Sequence, residues 1–181
     1  MKTTVINITS LLLVLVFMAC SSTQSLQEYY VDNAENPNFL SVDLPVSLLN
    51  MDKVTLTEDQ REALNSLRKL NVLAFKRTDL NVADFQKEKS NVQAILKNGQ
   101  FTELMKMNTS YGKASVKYLG EDEAIDEVII YGDNDEKGFL LVRVLGKDMN
   151  PAKMIQFIQA LEKSDYNGKG LEQIGNFLKG S

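Results

Sequence analysis

The chain has 181 residues, a net charge of −4, a pI near 5.0, no histidine, no tryptophan and one cysteine. The acidic balance excludes the basic footprint of a nucleic-acid binder and electrostatic attraction to anionic lipid. The missing histidine excludes Ser-His-Asp and Cys-His catalysis as well as His-ligated zinc.

Residues 1–19 read as a signal peptide. Lys2 is the charged end, Leu11–Ala19 is the apolar run, and Cys20 follows a small residue. The strong apolar run has about half the ~20 residues a spanning helix needs, and Asn7, Thr9 and Ser10 dilute what precedes it. Ordinary cleavage wants small residues at both positions of an A-x-A pattern, and Phe17 occupies the outer one. Ala19-Cys20 instead resembles the key pair of the bacterial lipobox, with Phe17 and Met18 departing from its commonest residues. That resemblance implies a diacylglyceryl thioether on the Cys20 sulfur and a further acyl chain, of the palmitate type, on its amino group. Lipidation at Cys20 is thus the one assigned site, and three chains anchor firmly where one does not. Cleavage before Cys20 leaves 162 residues (181 less 19), which suits one domain. The modified thiol is then unable to form a disulfide or bind a metal. By resemblance to known sorting rules, Ser21 in place of Asp favours the outer membrane, facing the periplasm.

Residues 20–37 are expected to be the lipidated cysteine and a flexible tether, with a root-mean-square span of roughly 20 to 25 Å. Docking of Leu26, Tyr29 and Tyr30 is the alternative. A single α+β domain is expected over residues 38–165. Phe39–Val42 reads as a short strand stopped by Pro45, and Val46–Met51 as a helical turn or two. Thr57 and Gln60 form a T-x-x-Q capping box, and Ala63, Leu64, Leu67 and Leu70 share one helix face. Val72–Phe75 reads as a buried strand or a buried helix end. Val82–Lys97 is a helix with Phe85, Val92, Ile95 and Leu96 inward and Gly99 as its stop.

The period then falls to 2. Strands are expected at Thr102–Asn108, Lys113–Leu119, Ile125–Tyr131 and Phe139–Leu145, with short connectors that make a four-strand C-terminal meander. Asn150 and Pro151 open a helix as N-cap and N1, with Met154, Ile155, Ile158 and Leu161 inward. Residues 166–181 form a short amphipathic tail carrying Leu171, Ile174, Phe177 and Leu178. The fold class is α+β, an antiparallel sheet with helices packed mainly on one face.

Chemical motifs are sparse. Asp133–Gly138 starts like a calcium loop, but Lys137 and Val144 stand where oxygen ligands are needed, so a hairpin turn is expected. Glu121-Asp122-Glu123 reads as a solvated turn. Ser66–Lys69 and Ser110–Lys113 match S-x-x-K without its companion motifs. Asp126 and Glu127 are strand neighbours and point to opposite faces. Tyr118, Tyr131 and Phe139 read as core or sheet surface. No catalytic residue, metal ligand or cofactor is assigned.

The stretches Pro37–Pro45, Asn71–Phe75 and Val144–Met149 entering the last helix carry a family resemblance. Together with the lipobox they resemble small Gram-negative envelope lipoproteins of the "domain of unknown function 4252" family, over most of residues 36–163. The resemblance implies no established activity and carries over no site. The expected function is a non-catalytic, lipid-anchored envelope protein, a binding or adaptor domain for a protein, peptide or glycan partner. The alternatives are a regulatory lipoprotein in envelope-stress signalling, which the resemblance hints at, and a histidine-independent enzyme.

Overall fold

Ser25 and Thr57 begin two helices by the same device. Ser25 Oγ accepts from the Glu28 N–H at 3.2 Å while the Glu28 carboxylate accepts from the Ser25 N–H at 2.8 Å. Thr57 and Gln60 repeat the exchange at 3.3 and 3.0 Å. Each box satisfies two backbone donors that a helix start would otherwise leave open. The computed structural model describes residues 24–49, 51, 54–109, 112–121 and 124–163. The signal segment with Cys20, Ser110, Asp122, Glu123 and the amphipathic tail with Leu171 to Leu178 lie outside the described residues.

The chain is α+β. In order, the elements are α1 (Leu26–Asn33), β1 (Phe39–Pro45), a 3-10 turn (Val46–Leu49), α2 (Glu58–Ser66), β2 (Leu67–Lys76), α3 (Val82–Lys97), β3 (Thr102–Thr109), β4 (Gly112–Glu121), β5 (Ala124–Asn134), β6 (Gly138–Met149) and α4 (Pro151–Lys163). The six strands form one open sheet in the order β1-β2-β6-β5-β4-β3, and every neighbouring pair is antiparallel. Pro45 is tolerated as the last residue of the edge strand β1, where its missing N–H costs little.

Helices cover both faces of this sheet, not mainly one. The cause is in the central strands. Val72-Leu73-Ala74-Phe75 and Phe139–Val142 are continuous apolar runs, so successive side chains on opposite faces all need burial. Leu73, Phe75, Ile129, Tyr131, Phe139 and Leu141 pack with α1 and α3 on one face. Leu70, Val72, Val116, Val128, Val142 and Val144 pack with α2 and α4 on the other. At the centre of the first face Phe75 and Phe139 stack at 5.5 Å, with Phe39 edge-on to Phe75 at 5.0 Å.

Leu67 and Leu70 are strand residues, not part of the helix face that carries Ala63. α2 ends at Ser66, and the backbone turns extended at Leu67 without a loop. Leu70 pairs with Leu44 on one side and Val144 on the other. Ladders on both flanks of Leu70, and the β6 ladder at Leu67, satisfy the backbone and bury both leucines, which outweighs a local helical period. α3 keeps its expected bounds and its four inward residues. α4 starts as expected, with Asn150 Oδ1 accepting from the Lys153 N–H at 3.1 Å. Met154, Phe157 and Ile158 are its buried residues, and Lys153 reaches α2 to pair with Asp59 at 3.3 Å and with Glu62.

The expected tether contains α1, docked on the sheet. Leu26, Tyr29 and Tyr30 are buried. The Tyr29 hydroxyl donates to Glu88 of α3 at 2.9 Å, and the Tyr30 hydroxyl reaches the Leu141 carbonyl of β6 at 2.9 Å. Gln27 accepts from Arg143, whose guanidinium also pairs with Glu127. Asn33, also buried, donates to the Tyr29 carbonyl at 3.0 Å and accepts from Asn36 at 3.1 Å, which ties the exit of the helix into the domain. Four residues separate Cys20 from the cap at Ser25, a five-step stretch that no chain extends beyond about 18 Å.

Candidate functional site

Helix α3 does not cover the whole of its sheet face. It packs over the centre and leaves the outer part, on β3 and β4, to form the floor of a cavity of about 580 Å³ with the helix's last turns as its wall. The strand register fixes the floor. Lys106 and Tyr131 stand directly opposite Ser115 on its two sides, and Asn108 and Asp133 likewise flank Lys113. Glu103 stands opposite Lys117 one row further along. Neighbouring strands are about 4.8 Å apart, and alternate residues on one strand about 6.7 Å apart. The floor is therefore about 10 Å by 13 Å, the footprint of a small polar molecule. Gln93, Leu96 and Lys97 of α3 form the wall.

The lining reverses the charge of the chain around it. Lys97, Lys106, Lys113 and Lys117 supply four ammonium groups against the carboxylates of Glu103 and Asp133. Both carboxylates are already engaged. Glu103 pairs with Lys106 at 2.9 Å, and Asp133 pairs with Lys89 of α3. Among the described residues Lys97, Lys113 and Lys117 have no ion pair.

Tyr131 is the buried group of this cavity. Its side chain is 94% buried (6% exposed). Its hydroxyl is sealed from solvent and has no hydrogen-bond partner among the described residues, although Gln93 stands beside it. Leaving a buried hydroxyl unpaired costs about 1–3 kcal/mol, so a group like this asks for a reason. Burial first, then the charge of Asp133, pushes its pKa above the ordinary tyrosine value. The Gln93 side chain opposes that shift.

The residues singled out from the sequence are elsewhere or already occupied. Asp133–Gly138 is a hairpin turn in which Asn134 Oδ1 accepts from the N–H groups of Glu136 and Lys137 at 2.8 and 3.1 Å. Lys89 sits between Asp133 and Asp135, the latter at 2.8 Å, so an ammonium occupies the charge that a cation would need. Among the described residues no cluster of three or more acidic or thiol side chains is arranged to hold a metal. Ser66 Oγ donates to the Ala63 carbonyl at 2.7 Å, and Lys69 pairs with Asp43 at 2.6 Å, so the two halves of that S-x-x-K are separately engaged. Glu127 is held by Arg143. Tyr118 and Phe139 are buried. The cavity itself was missed. Its one sequence signal is Lys113-x-Ser115-x-Lys117, a polar alternation that puts three donors on one strand face.

No helix among the described residues is long and apolar enough to cross a membrane. No curated protein and no solved structure matches the chain. The model of the family "Domain of unknown function (DUF4252)" matches residues 29–157, which run from Tyr29 of the docked helix to Phe157 of α4 and take in the whole sheet and the cavity. The chain belongs to the DUF4252 family.

Proposed function

We propose that the protein is a lipid-anchored, non-catalytic binding domain of the cell envelope. Acylation of Cys20 would hold it at the outer membrane, facing the periplasm. The observation that carries the reading is a lysine-lined cavity on a domain whose helix α1 is docked. The helix cap lies within about 18 Å of Cys20 along the chain. Three acyl chains would make the attachment firm. So short a connection would keep the domain against the membrane surface, where a swinging tether would let it range. The donors in the cavity suit recognition of a ligand or partner group. Ser66 and Lys69 are engaged separately, with the Ala63 carbonyl and with Asp43, so they do not form a nucleophile and its base.

Growth with an alkyne-bearing palmitate, followed by dye coupling, tests the anchor. The wild-type protein takes up the label and the Cys20→Ala variant takes up none. An unlabelled wild-type protein would refute lipidation at this site.

A further inference from the structure

We propose that the cavity between α3 and the β3–β4 hairpin binds a phosphomonoester group, with Lys113 and Lys117 as its counter-charges and Ser115 as a donor. The proposal deepens the binding-domain reading and rests on it. Three observations lead to this ligand chemistry.

The first is charge. Glu103 pairs with Lys106, and Asp133 with a Lys89 that Asp135 shares, so the lysines around the cavity still outnumber the carboxylates and set the sign of the site. An anion is attracted there despite the net charge of −4. The second is arrangement. Lys113, Ser115 and Lys117 alternate on β4 and share one face, with the hydroxyl between the two ammonium groups. Tyr131 is directly opposite Ser115 on β5. A group seated over Ser115 has a lysine on either side and the Ser115 hydroxyl beneath it.

The third is the identity of the cations. No arginine lines the cavity. A planar carboxylate is best read by the fork of a guanidinium, whereas lysine acts as a point charge suited to a compact, highly charged tetrahedral group. Leu96 remains to contact the organic part of the ester.

The chemistry is shared by a lipid headgroup such as phosphatidic acid and by a soluble ester such as glycerol phosphate. The test uses the acylated protein in neutral detergent micelles, followed by the amide NMR signals of Lys113, Ser115 and Tyr131. Glycerol phosphate is titrated into the solution in one arm, and phosphatidic acid into the micelles in the other. The proposal expects saturable shifts at these residues in at least one arm, and the responding arm names the source. The double variant Lys113→Gln, Lys117→Gln weakens the response about tenfold or more, as loss of charge-assisted bonds implies.

Two results would overturn the proposal: no shift at these residues in either arm, or an undiminished response in the double variant. Either failure leaves the palmitate labelling of Cys20 standing. Loss of that labelling would equally leave phosphate binding by the purified protein intact.

Discussion

Gly138→Ala destabilises the domain by more than about 4 kcal/mol, a large part of the 5–15 kcal/mol that holds a domain of this size together. Gly138 opens β6 with φ at +123°, a conformation that side-chain-bearing residues rarely adopt. A Cβ here would run into the Phe75 carbonyl oxygen, and would lie 2.9 Å from the Arg77 nitrogen and 3.0 Å from the Phe75 carbonyl carbon. These are backbone atoms of β2 and its exit, so no side chain can swing away to make room. Relief requires β6 to move off β2, the strands that carry the centre of the sheet. That movement separates Phe75 from Phe139 and breaks the bond from the Arg77 N–H to the Lys137 carbonyl at 3.0 Å. Urea unfolding followed by circular dichroism measures the effect. A loss under about 1 kcal/mol, within the range of ordinary point substitutions, would show that the strand pair yields where its geometry says it is fixed.

Tyr29→Ala has the second-largest effect, and its character differs. Truncating a buried aromatic costs about 3–5 kcal/mol when the whole domain bears the loss. Tyr29 is 1% exposed, sits edge-on to Phe39 at 6.3 Å and donates to Glu88. Yet α1 is an eight-residue helix at the beginning of the folded domain. A helix that short is marginal on its own, so the variant gives up α1 before it gives up the sheet. Hydrogen exchange should show protection in α1 falling about 100-fold or more, the equivalent of about 3 kcal/mol, with β2 and β6 unchanged. The functional consequence is reach. With α1 docked, the chain from Cys20 to the domain extends at most about 18 Å. With α1 released, the chain from Cys20 to Phe39 can extend about 60 Å. Unchanged protection in α1 would show that other contacts hold the helix and that Tyr29 is not its anchor.

Much of this fold was legible from spacing alone. The cap at Thr57, the apolar face of α3, the Asn150-Pro151 start of α4 and the period-2 stretches after residue 101 each report a local cause. What escaped was set by partners distant in sequence. Leu67 and Leu70 fit a helical period until two flanking ladders claim them. The double-sided burial of the sheet was written in the continuous runs Val72–Phe75 and Phe139–Val142, which mark strands buried on both faces. α1 carried a readable signal too, since Ser25-x-x-Glu28 is the same capping pattern as Thr57-x-x-Gln60. Leu26, Tyr29 and Tyr30, the docking alternative to a flexible tether, are the residues that dock. The cavity needed register as well as pattern. Lys113, Ser115 and Lys117 alternate visibly, but only the pairing of Ser115 with Tyr131 places a buried hydroxyl beside them.

Mass spectrometry of the amino-terminal peptide, taken from protein extracted from membranes, tests the lipid-anchored reading most directly. The account predicts a peptide that begins at Cys20 and carries the added mass of a diacylglyceryl group with a further acyl chain. A peptide that begins elsewhere, or one that begins at Cys20 with an unmodified thiol, would contradict it.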